Sequence, residues 1–86
     1  MKKHIEWRAD KREYANGDFG YIGRIRLFWV GYSVIDRADK DKPYLLNHEL
    51  SSMKNNQRFA TREEGYNFAE TLLNQFYNYL KERMEK

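Results

Sequence analysis

Few residues of this 86-residue chain combine the type and spacing that a reaction needs. The two histidines, His4 and His48, stand in a chain without cysteine, and neither has a second ligand at the i, i+4 spacing of a helical metal pair. No metal and no cofactor are expected. Ser33, Ser51 and Ser52 lack the G-x-S-x-G surroundings of an activated nucleophile. Glu63 and Glu64 are adjacent carboxylates, but three residues separate Thr61 from Glu64, so both read as first-turn residues placed for capping and for the helix dipole. Gly20, Gly23 and Gly31 are not followed by the helix start with Lys-Ser/Thr that a phosphate loop requires. No residue is expected to be catalytic, and the chain reads as a binding protein and not an enzyme.

Two constellations are suited to binding. The first mixes rings and guanidinium groups: Trp7, Arg8, Tyr21, Arg24, Arg26, Phe28, Trp29 and Tyr32. Rings that stack on bases beside arginines that meet phosphates make a nucleic-acid or nucleotide surface, and Trp7, Arg24, Arg26, Trp29 and Tyr32 are its candidates. The competing reading puts about half of these rings in the core and leaves the arginines as ordinary outer-face residues. The second is a helix flank where Tyr66, Tyr77 and Tyr79 lie among Asn67, Asn74, Gln75 and Asn78. Tyrosine with asparagine and little charge is the composition of a protein-recognition surface. With Arg24, Arg26 and Trp29 these tyrosines form the candidate partner-binding set, against which stands plain packing at the edge of an apolar stripe.

The elements that must position these residues follow from periodicity. From Arg62 to Met84 the residues Gly65, Ala69, Leu72, Leu73, Phe76, Leu80 and Met84 recur at threes and fours, which predicts one amphipathic helix about 34 Å long. Thr61 caps it, with Glu64 three residues on. Before it the chain reads as strands. His4 to Tyr14 is a first strand, and Asn16-Gly17 is a hairpin signal that reverses the chain. Residues 19–36 are either one long bent strand or two strands, about Asp18 to Arg26 and Trp29 to Arg37, with a turn at Leu27-Phe28. A bulge near Gly20 or Gly23 would bring its apolar residues onto one face. Arg37 to Pro43 is a charged connection, Tyr44 to Leu50 alternates as a strand, and Ser51 to Arg58 is a polar loop. The expected fold is therefore α+β: an antiparallel sheet of three to four strands over about residues 4–50, covered on one face by a single C-terminal helix over about 62–84, in the order β-β-β-β-α.

Composition bounds the rest. Residues 1–86 make one small domain, and the absence of cysteine is the usage of a reducing cytoplasm. Neither a signal peptide nor a membrane span is legible in the sequence. The net charge is +3, and its surplus lies before Pro43, where ten Lys or Arg face seven Asp or Glu. A small open sheet leaves edge strands and apolar surface, so homodimerisation is an expectation.

Ile5-Glu6-Trp7-Arg8, then Tyr21-Ile22-Gly23-Arg24-Ile25, Tyr44-Leu45-Leu46 and finally the run from Phe59 through Thr61, Glu63 and Glu64 to Glu70 resemble small bacteriophage and prophage accessory proteins. In those a short sheet precedes an F-x-T/S-x-E-E-A-x-x-x-A-E helix. Gly65 stands where they usually carry alanine, which would let the helix approach the sheet more closely. The resemblance implies a phage-type protein in the cytoplasm of a bacterial host that binds and inhibits a host protein, such as a component of an antiviral defence system, an anti-CRISPR role included. The alternative is a domain that binds nucleic acid or a signalling nucleotide.

Overall fold

The structure is a computed structural model that describes residues 3–50, 53 and 55–84. It is α+β. Five antiparallel strands, β1 (Glu6–Ala9), β2 (Gly17–Ile22), β3 (Ile25–Tyr32), β4 (Tyr44–His48) and β5 (Gln57–Phe59), form one open sheet in the order β1-β2-β3-β4-β5, and α1 (Arg62–Met84) closes one face. The sheet thus has one strand more than the sequence predicts. The extra strand is β5, whose Gln57 and Arg58 end the predicted polar loop and whose Phe59 follows it. Asn55 makes it: its side chain accepts from His48 N at 3.1 Å and donates to His48 O at 2.9 Å, and Asn56, with φ of 59°, turns the next residues back along β4. Ser51 and Ser52 lie outside the described residues.

The turns also fall elsewhere than predicted. β1 ends at Ala9, because the Asp10 carboxylate accepts from the Arg12 backbone N–H and guanidinium and folds the chain into a loop that runs to Asn16. Gly17 then belongs to β2, and Trp7 lies opposite Gly20, not opposite Arg26 as a tight Asn16-Gly17 turn would require. The run after it does split into two strands, but at Gly23-Arg24, where Gly23 has φ of 59°, and not at Leu27-Phe28. A bulge does occur beside Gly20: the pairing passes from Gly20↔Phe28 to Tyr21↔Arg26, leaving Leu27 as the extra residue.

That register puts Trp7, Gly20, Phe28, Val30 and Leu46 on the face toward α1. Phe28, Val30 and Leu46 are fully buried there, with Ile5, Leu50, Ala69 and Leu72 around them. The helix starts where expected, the Thr61 hydroxyl accepting from the Glu64 N–H at 3.2 Å. Gly65 lets it approach the sheet, since a Cβ there would stand 2.9 Å from Val30 Cγ1. The cover is shorter than the predicted stripe: from Tyr77 to Met84 every residue is exposed. The molecule is 47 Å long against 26 and 23 Å across.

A buried carboxylate ties the N-terminal segment down. Glu70 Oε1 accepts from both His4 N and Ile5 N at 2.7 Å, while Oε2 is buried with no hydrogen-bond partner among the described residues.

Candidate functional site

Among the described residues no helix packs on the face of the sheet turned away from α1, and the alternation of the strands gives it a definite chemistry. One row crosses four strands as Arg8, Phe19, Trp29 and Asn47, and the next holds Glu6, Tyr21 and Arg26. Guanidinium groups lie on the rings. Arg8 is 4.6 Å from the Tyr21 centroid, and both Arg26, at 4.4 Å, and Arg12, at 5.2 Å, lie over the Phe19 ring.

Trp29 is the fixed point. Its ring lies flat on the backbone of two neighbouring strands, so that a Cβ on Gly17 or on Gly31 would stand 2.5 Å from ring atoms. Its indole N–H donates to Asp10 Oδ2 at 3.0 Å. Asp10 is itself buried, and the Arg12 side chain holds its carboxyl far below the usual carboxylate range, with the Arg12 N–H and the Trp29 indole adding to the effect. The anion that orients Trp29 is therefore charged at any ordinary pH. Among the described residues no other ring or guanidinium stacks on Trp29. A groove of about 210 Å³ opens beside it, lined by Phe19, Arg26, Leu27, Asn47 and Glu49 among others.

The predicted residues are divided between places. Arg26 and Trp29 share the open face. Arg24 is exposed in the β2–β3 turn at its end, and neither Arg24 nor Arg26 forms an ion pair among the described residues. Trp7 is on the other side, its ring 4.4 Å from that of Tyr66 and packed on the core. Tyr32 is on that side too, edge-on to Tyr44 at 5.9 Å. Tyr66 is a packing residue whose hydroxyl donates to Asp18 Oδ2. Burial and then that bond push its pKa up to about 12. Tyr77 and Tyr79 are exposed, 61% and 48%, on the part of α1 that passes beyond the sheet. The two predicted sets therefore do not assemble as sets; the open face joins Arg26 and Trp29 to Arg8 and Tyr21.

Phe19, Asp10, Arg12 and Asn47 complete the face and were not among the sequence candidates. The strand register brings Phe19 and Asn47 beside Trp29, and the loop after β1 brings Asp10 and Arg12. The histidines are apart: His4 is exposed, and His48 is buried with Nδ1 accepting from Leu50 N at 3.1 Å. No group of three metal-ligating side chains occurs among the described residues, and none of their helices is long and apolar enough to cross a membrane. No family model, curated protein or solved structure matches the chain, so the likeness to phage accessory proteins stays an expectation and the site is read from its geometry.

Proposed function

We propose that the chain is a non-enzymatic binding protein whose open sheet face takes a ligand with a planar base and a phosphate: a nucleotide or a short single-stranded nucleic acid. The observation that carries this reading is Trp29, held flat on Gly17 and Gly31 and fixed by Asp10, with no ring or guanidinium of the described residues stacked on it and Arg26 alongside in the same groove. A base stacks on such a ring whatever its identity, and each stacked base is worth about 1–3 kcal/mol. Arg26 and Arg24, without an ion pair among the described residues, supply positive charge for the phosphates, and Asn47 in the row of Trp29 offers both a donor and an acceptor for a base edge.

Titration of labelled 12-nucleotide strands and of free nucleotides, read by anisotropy and by tryptophan quenching, tests the proposal. Trp29→Ala and Arg26→Glu should each weaken binding about tenfold or more. For a polymer, affinity should fall steeply with salt, and less steeply in Arg26→Glu; a mononucleotide ligand would bind without that slope. Failure of every strand and nucleotide to bind would remove this reading. A second reading, inhibition of a host protein, draws on Arg24, Arg26 and Trp29 as interface residue types and on the exposed Tyr79. A stoichiometric protein captured after nuclease treatment, lost with Arg24 and Arg26 reversed in charge, would put it first.

A further inference from the structure

The stripe that the sequence presents as one is two seams on α1. Gly65, Ala69, Leu72 and Phe76 recur at four, three and four, and this seam packs on the sheet. Continued, it reaches Tyr79 and Arg83, whose guanidinium lies 4.9 Å from the Tyr79 centroid. Leu73, Tyr77, Leu80 and Met84 also recur at four, three and four, one residue on, and so about 100° round the helix. Spacing of this kind is the seam of a two-helix coiled coil. Its lower three residues are exposed, Leu80 by 41% and Met84 by 82%. The ten residues from Thr71 to Leu80 carry no charge, although Gln75 and Tyr77 to Leu80 among them are exposed. A solvated helix face is ordinarily polar and charged.

We infer that this seam is covered by the same seam of a second copy, the two helices running antiparallel about a two-fold axis between residues 78 and 79. The pattern is self-complementary under that operation, as an isologous interface must be. Tyr77 of each copy meets Leu80 of the other, and Leu73 meets Met84. The last pairing has a seat already formed, because a groove of about 380 Å³ lined by His4, Ile22, Leu73, Asn74 and Tyr77 opens at the Leu73 end. Met84, flexible and unbranched, is the plug at the other end of the same helix. Lys81 and Arg83 then lie against the uncharged stretch of the second copy, whereas a parallel pair would set like charges side by side. The two sheets fall at opposite ends of the dimer, each with its open face away from the contact, so this inference is independent of the ligand assigned to that face.

Sedimentation velocity on the full chain from about 1 to 300 μM should give a concentration-dependent dimer, and Met84→Glu or Leu80→Lys should raise its dissociation constant at least tenfold. Met84 is so exposed that its substitution leaves the fold intact, and circular dichroism checks this. Orientation is read from cysteine variants, since the chain has no cysteine of its own. Leu73→Cys and Met84→Cys chains, mixed and oxidised, should give the mixed disulfide. Neither alone should dimerise covalently, because in the antiparallel pair identical positions lie about 16 Å apart along the axis. A monomer at every concentration, wild-type affinity in Met84→Glu and Leu80→Lys, or self-linking of either cysteine variant would overturn the inference.

Discussion

Trp29 is held from below by the absence of side chains. At Gly31 an added Cβ would meet the Trp29 ring at 2.5 Å and the Asn16 carbonyl oxygen at 2.6 Å. That oxygen accepts from the Tyr32 N–H at 2.8 Å and fixes the start of β2 against β3. The neighbour that must move is therefore partly backbone. Gly31→Ala should cost about 1–3 kcal/mol in denaturant unfolding, the usual range for overpacking. It should also lift the indole from Asp10, seen as a red shift of the Trp29 emission in a Trp7→Phe background. An unshifted spectrum with unchanged stability would mean that the ring does not rest on that glycine.

Among the elements, α1 shows how much could be read in advance. Its start was legible in Thr61 and Glu64, because a cap is a local device whose partners sit three residues apart. The close approach at Gly65 was expected on another ground, glycine standing where alanine is usual in the helices this one resembles, and the structure sets it against Val30. The hairpin turn was not: Asn16-Gly17 is the stronger local signal, but Asp10, bonded to Arg12 and to distant Trp29, ends β1 early and takes the reversal into a longer loop. β5 is three residues long and owes its place to the Asn55 side chain, which no period of two reveals. The row Arg8, Phe19, Trp29 and Asn47 needed the register: a bulge near Gly20 or Gly23 was legible in the conflict of apolar and basic residues on one face, but not that Leu27 would be the residue left over. Glu70 was equally hidden. It looks like one more helical carboxylate, yet it is buried and holds the amides of His4 and Ile5. Glu70→Ala would leave those two donors without a partner, at about 1–3 kcal/mol for the buried one. Hydrogen exchange should then lose at least tenfold more protection at the Ile5 amide than at Val30. Equal loss at both would show global destabilisation and not an unlatched segment.

For the whole molecule, pH should act through groups at opposite ends of the scale. Asp10, lowered first by the Arg12 side chain, and Asp39, lowered by the backbone N–H groups of Asp36 and Ile35, bind protons less readily folded than unfolded. The stability they contribute is present above the unfolded value of 3.8 and is lost as pH falls below it. Tyr66 is the reverse case. Its pKa rises from 10.0 to about 12 on folding, so its contribution is intact below pH 10 and is lost between there and about 12. Melting temperatures across pH should form a plateau with an acid arm flattened by Asp10→Asn and an alkaline arm flattened by Tyr66→Phe. An alkaline arm identical in Tyr66→Phe would place its cause elsewhere.

The strand order carries one more consequence, in the time domain. Each strand of β1-β2-β3-β4-β5 pairs with the one made just before it, so every pairing closes over a short stretch of chain and the sheet can assemble as it leaves the ribosome. The helix cannot. Phe28, Val30 and Leu46 remain uncovered until residues 65–76 have been synthesised, and the N-terminal segment waits for Glu70. The segment before β1 is made ahead of the sheet and locked only after it, which gives the nascent chain one vulnerable interval, between the synthesis of β4 and that of residues 65–76.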